Sequence, residues 1–112
     1  MLAITLPVSA STPRVRQRVQ LDGAEYLLDT SWSARAAAWT MTLADTEEHP
    51  IRAGMFLRRG HRLLRGLADA RRPAGELVVV GREERLGLDS FAAGDASLVY
   101  VTEAELAEMG VA

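Results

Sequence analysis

At 112 residues, 48% of them hydrophobic and 25% charged, with a net charge of −2, the chain has the size and balance of one small globular domain, able to bury about two thirds of its unfolded surface without a covalent staple. The absence of cysteine excludes disulfides, thiolate metal sites and a thiol nucleophile. No stretch has the apolar length of a signal peptide or a membrane span, so a soluble product is expected.

Met1 to Val8 alternates weakly, with Leu2, Ile4 and Leu6 on one face, and predicts a first strand ended by Pro7; Ser9 to Pro13 is a polar linker. Val15, Gln17, Val19 and Leu21 then face one way while Arg14, Arg16, Arg18 and Gln20 face the other. That arginine-lined face is either an ordinary solvated outer face or a surface for an anionic partner. Asp22-Gly23 is a strong hairpin signal, because a two-residue turn matching strand twist needs positive φ. Tyr26, Leu28, Thr30 and Trp32 follow at period two, opposed by Leu27, Asp29 and Ser31. The chain turns through Ser33 to Ala38 and returns along Trp39, Met41 and Leu43, ending near Asp45. Both tryptophans lie in this stretch with Tyr26, so Tyr26, Trp32 and Trp39 are expected as the main apolar anchors, unless one tryptophan is an exposed partner contact.

Thr46 to Pro50 is a polar turn. Ile51, Ala53, Met55 and Leu57 alternate with Arg52, Gly54, Phe56 and Arg58, a fifth strand in which Gly54 marks a bulge or a close backbone contact. His61 to Arg72 mixes leucines and arginines at a spacing that suits one or two helical turns or an irregular loop. After the turn Pro73-Ala74-Gly75, the run Glu76 to Gly81 is a buried or paired strand. Arg82 to Gly94 is a loop whose Leu86, Leu88 and Phe91 tuck onto the core, and Ser97 to Thr102 is the last strand. Thr102 and Glu105 form a capping box for a short helix that Gly110 can stop. The sum is a single all-β domain, 1–112, an antiparallel barrel or sandwich of about seven strands with a C-terminal helix over 102–110.

Catalytic groups do not stand out. The chain has no lysine for a phosphate-binding loop, no G-x-S-x-G elbow and no G-x-G-x-x-G. Glu47, Glu48 and His49 point in different directions as consecutive residues, and His61 stands alone among arginines, so no metal site is expected. Asp22, Asp29, Asp45 and Asp89 fit turns or outer faces better than acid–base roles. A nucleic-acid-binding small barrel, using Arg14, Arg16 and Arg18 with Arg58, Arg59, Arg62 and Arg65, is the rival reading, opposed by the acidic net charge and by aromatics on buried faces. Charge is also uneven: residues 50–85 hold nine arginines against four acids, and residues 86–112 hold five acids and no base. Head-to-tail packing of copies or simple intramolecular pairing would both use that asymmetry.

The run V-x-L-D-G-x-x-Y (Val19 to Tyr26), W-S-x-R-x-x-x-W (Trp32, Ser33, Arg35, Trp39), Asp45, I-x-x-G-x-x-L (Ile51, Gly54, Leu57), P-x-G-x-L (Pro73, Gly75, Leu77) and L-V-Y (Leu98 to Tyr100) resembles the baseplate plug proteins of contractile phage tails, known from a cyanophage. Ser33 stands where that family would have Asn, and Glu47-Glu48-His49 where it would have a glycine-containing turn. The resemblance implies a non-enzymatic structural component of a tail baseplate, without cofactor or membrane. It would be present in several copies in the virion, assembled in the host cytoplasm, and docked near hub, tube or wedge proteins, with nucleic acid an unlikely partner. Within it Arg35, set between two tryptophans, is expected either to clamp its own hairpin by stacking on an indole or to contact another subunit. Arg58, Arg59 and Arg62 are the candidate partner face.

Overall fold

The computed structural model describes residues 1–82 and 86–110. In chain order these form β1 (Leu2–Ile4), β2 (Arg14–Leu21), β3 (Ala24–Ser33), β4 (Ala38–Ala44), β5 (Pro50–Phe56), β6 (Glu76–Gly81), β7 (Ala96–Val101) and α1 (Glu103–Glu108). Every strand pair is antiparallel. Strands β2-β3-β4-β5 make a four-stranded meander, and β1-β7-β6 make a separate three-stranded sheet. Among the described residues no strand belongs to both sheets, so of the two expected architectures the chain adopts the sandwich and not the closed barrel.

Local chemistry sets the meander. Asp22 and Gly23 both take positive φ, 53° and 79°, the geometry a type I′ turn requires. From that turn β2 and β3 pair without interruption from Leu21↔Ala24 to Arg14↔Ser31. Between β4 and β5 the register shifts between Met41 and Leu43 and again before Ala44, and Gly54 has φ of 63°, which is the bulge expected at that glycine. Pro7 stops the first strand earlier than its alternation implied. Val8 N–H turns back onto the Leu6 carbonyl at 2.8 Å, and both Leu6 and Val8 drop into the core.

The core lies between the sheets. Leu28, Trp39, Met41 and Leu43 from the meander meet Leu77, Val79, Leu98 and Tyr100 from the second sheet, with Leu63 and Leu64 packed in the same cluster. The segment 57–75 that crosses between the sheets forms no helix. Its backbone instead runs beside β6, with Gly60 N–H on the Val79 carbonyl at 2.8 Å and Leu63 N–H on the Leu77 carbonyl at 2.9 Å. Leu86 is buried, with Leu88 and Phe91 packed on the cluster; Glu83, Glu84 and Arg85 lie outside the described residues. The capping box of Thr102 and Glu105 starts α1, which buries none of its residues.

Thr30 sits on the inner face of β3, wholly buried, and its hydroxyl has no hydrogen-bond partner. A buried hydroxyl that has lost water without gaining a partner costs about 1 kcal/mol or more. Thr30→Val keeps the branched shape and removes that cost. It is expected to stabilise the fold by about 1 kcal/mol, read as a higher urea midpoint at an unchanged slope.

Candidate interaction surfaces

The aromatic residues singled out from the sequence do three different things. Trp39 is fully buried, meets Trp32 edge-on at 5.3 Å and Phe91 at 6.3 Å, and donates its indole N–H to the Gly87 carbonyl at 3.2 Å. Tyr26 is buried, with its hydroxyl donated to the Arg71 carbonyl at 2.9 Å. Trp32 is half-buried at the margin of the core.

Sequence reasoning missed the role of Tyr100. Its hydroxyl accepts the Gly75 N–H at 2.8 Å and donates to the Asp22 carboxylate, tying the β2–β3 turn to the turn before β6. Burial first, and the Asp22 carboxylate second, hold its phenol well above the usual tyrosine range. Asp22 is therefore a turn residue with a second partner across the sandwich.

Several arginines in and beside the crossover are engaged by the chain's own backbone and acids. Arg72 gives its guanidinium to the carbonyls of Leu64 at 2.6 Å, Gly75 at 2.8 Å, Pro73 at 2.9 Å and Leu67 at 3.1 Å. Arg52 reaches the carbonyls of Leu63 and Arg65 at 3.1 and 3.2 Å. An irregular segment leaves carbonyls without strand partners, and the five donors of a guanidinium satisfy several at once. Arg62, expected on a partner face, is instead the counter-ion of Glu76. That carboxylate is 1% exposed. One of its oxygens takes the N–H groups of Leu64 at 2.5 Å and Leu77 at 3.0 Å, and the other lies 3.3 Å from Arg62 Nε, near enough for an ion pair but not aligned as a hydrogen bond.

The remaining candidates lie towards one end of the sandwich. Arg58 stacks over Phe56 at 5.7 Å from the ring centre, and Phe56 is 44% exposed. Arg59 donates to the Arg82 carbonyl at 3.3 Å. Leu57 N–H on the Trp39 carbonyl at 2.9 Å brings this segment alongside the base of the β3–β4 hairpin, whose tip carries Arg35. Arg35 is exposed and stacks on neither indole, and among the described residues it has no ion pair or hydrogen bond from its side chain. The tight turn carries it off the sheet: Ala36 N–H bonds Ser33 Oγ at 3.2 Å and Ala37 takes φ of 49°. The expected intra-hairpin clamp is not formed.

The arginine-lined face of β2 is a neutralised ladder. Arg14 pairs Asp29 at 2.9 Å, Arg16 lies 3.5 Å from Asp29 and also pairs Glu48, and Arg18 lies 3.6 Å from Glu25. These pairs, together with the open sandwich, remove the support for a nucleic-acid-binding barrel. His49 and His61 are both exposed. Among the described residues no three of His, Cys, Asp and Glu are grouped to hold a metal ion.

The ion pairs give a pH dependence. Arg71 holds Asp69 down to about 2, by a side-chain hydrogen bond first and a backbone one second. Asp29 is lowered chiefly by Arg14, and Asp45 chiefly by the His49 backbone N–H. A carboxylate whose folded pKa is depressed adds stability that is complete above its unfolded value of about 3.9 and is lost as pH falls through the folded one. The melting temperature is thus expected to hold steady from about pH 5 to about pH 9 and to fall between about pH 4 and about pH 2. Asp69→Asn should melt lower at neutral pH and decline less steeply across that window.

The family described as cyanophage baseplate Pam3 plug gp18 matches residues 3–103, a span that runs from within β1 through β7 to the cap of α1. No curated protein matches the chain.

Proposed function

Because the chain belongs to the cyanophage baseplate plug family, we propose that it is a non-enzymatic structural part of a contractile tail baseplate, docked in several copies near the central hub and tube. The observation that carries this reading is the extent of the match, which covers nearly the whole domain. The motif residues support it, since those with a visible task build or anchor the fold: Gly23 makes a turn, Gly54 a bulge, and Trp39 and Tyr100 the core. Asp45 organises the β4–β5 turn, accepting the N–H groups of Glu47 at 3.0 Å and His49 at 2.9 Å. Glu48 in that turn has φ of 67°, so the turn makes the left-handed bend of a glycine-containing turn without a glycine.

Arg35 then takes the role of a subunit contact, with Phe56, Arg58 and Arg59 as the neighbouring surface toward hub, tube or wedge proteins. Aromatic and arginine side chains are the ones enriched at the centres of protein interfaces. The protein would be found in the virion tail, having been assembled in the host cytoplasm. The test is mass spectrometry of density-purified tail particles, counting this chain against a tube or sheath subunit. A low, fixed ratio is expected. Its absence from particles in which the other tail proteins are all detected would end the reading.

A further inference from the structure

Three of the four sheet edges in the sandwich are short or protected. The edge of β6 is occupied by the crossover, through bridges from Arg59 and Arg62 to Val79 and Val78. The edge of β5 is bent by the Gly54 bulge and crossed by the Arg52 side chain on its way to the Leu63 and Arg65 carbonyls. The edge of β1 is only three residues long. Strand β2 differs: it has eight residues in unbroken register with β3, and among the described residues no backbone hydrogen bond reaches its other side.

The free groups on that side can be named. Trp32 N–H bonds the Pro13 carbonyl at 2.8 Å, and bonded pairs alternate along an antiparallel ladder. Val15, Gln17, Val19 and Leu21 therefore bond inward to β3, while the N–H and C=O groups of Arg14, Arg16, Arg18 and Gln20 point outward. The same four residues carry the side chains of the sandwich's outer face. Backbone vacancy coincides with the exposed guanidiniums of Arg14, Arg16 and Arg18, each already within ion-pair distance of an acid, Asp29 or Glu25 one strand further in or Glu48 on the β4–β5 turn, while Gln20, the fourth outward residue, is neutral.

This pattern discriminates between occupants. A second copy adding its own β2 antiparallel, with sheet faces continued, would set arginine opposite arginine or Gln20 in every register that overlaps well. Like charges directly opposite are destabilising. A strand with carboxylates at alternate positions would continue the row of Asp29 and Arg16 and set another carboxylate beside Arg18, which faces Leu27 across the ladder and meets Glu25 only on the diagonal.

We infer that the β2 edge is a strand-addition site for an extended segment of another protein, with acidic side chains at every second residue and small apolar or hydroxyl ones between. It goes beyond the baseplate reading and stands or falls separately from it, because it specifies the chemistry of a partner segment and not the particle.

The probe is a peptide alternating glutamate with valine and threonine, compared with the same peptide bearing lysine for glutamate and with an acidic version N-methylated on the amides that would face β2. Binding to the full chain is followed by fluorescence anisotropy, and the bound edge by hydrogen exchange of individual amides. The acidic peptide is expected to bind about tenfold or more tighter than the lysine peptide, to weaken with salt, and to slow exchange at Arg14, Arg16, Arg18 and Gln20. N-methylation should abolish binding. Arg16→Gln with Arg18→Gln, checked for an unchanged melting profile, should lose the preference for acid. Equal binding of both peptides, no binding at millimolar peptide, or binding that leaves those four amides exchanging freely would overturn the inference. So would sedimentation of the chain alone as a dimer that protects the same four amides.

Discussion

Replacing Gly75 by alanine is expected to leave little folded protein. A Cβ at that position would sit 2.1 Å from the Val101 carbonyl oxygen, 2.7 Å from the Tyr100 hydroxyl oxygen and 2.8 Å from its ring carbon Cζ, all distances that real Cβ atoms do not show. The nearest obstacle is backbone, the last residue of β7, which is the central strand of its sheet, so relief requires β7 to move away from the turn before β6. That movement would also break the Gly75 N–H bond to Tyr100 and loosen the tie from Tyr100 to Asp22. Clash and lost hydrogen bonds at one buried point belong to the short list of causes of losses above about 4 kcal/mol, against a total stability of about 5–15 kcal/mol for a domain. Gly23→Ala is the contrast, since a Cβ there meets nothing within 4 Å; its cost is that of φ at 79°, about 1–2 kcal/mol. Urea unfolding of the two variants should separate them clearly, and a Gly75→Ala variant with a near-native midpoint would refute the close approach.

Trp39→Ala is expected to cost about 3–5 kcal/mol. The ring is 0% exposed, contacts two other aromatic rings edge-on and fixes the β6–β7 connection through its bond to Gly87. Truncation leaves a cavity among Trp32, Phe91 and Met41 that β-sheet neighbours cannot close without changing register. Trp39→Phe should recover part of the loss, keeping the aromatic contacts while forfeiting the indole N–H. A Trp39→Ala protein that melted normally yet failed to enter tail particles would assign the ring to an interface instead.

What the sequence made legible was local. The Asp22-Gly23 turn, the period-two faces of β2 to β4, the Gly54 bulge and the Thr102–Glu105 cap each depend on residues within a few positions of one another, so a linear pattern carries them. The tasks of Arg52, Arg62, Arg71 and Arg72 do not. Besides near neighbours such as Asp69 and Pro73, those guanidiniums serve groups such as Glu76, Asp45 and the Leu63 and Leu64 carbonyls that only the path of the crossover brings near, and no spacing in the chain records that path. Arg58, Arg59 and Arg62, read as one basic cluster, in fact separate into a ring-stacked residue, a carbonyl donor and the half-buried counter-ion of a buried carboxylate. For Arg35 the misreading was one of direction: flanking tryptophans suggested a stacked guanidinium, but the tightness of the turn points it outward. Which sheet each strand would join, and hence sandwich over barrel, was likewise a long-range fact.

The pairing of β1 with β7, Leu2 with Tyr100, bears on how the chain acquires its shape. The meander β2 to β5 can form from near neighbours, but β1 leaves the ribosome before the other strands and must wait for β7, which follows them all. Loop closure over that separation is slow relative to hairpin formation. During synthesis the apolar side chains of Leu2, Ile4, Leu6 and Val8 have no sheet to join, so a nascent chain arrested before residue 96 should hold a formed meander and an unpaired leading strand. Moving β1 to follow β7 by circular permutation would make its pairing local and hasten folding.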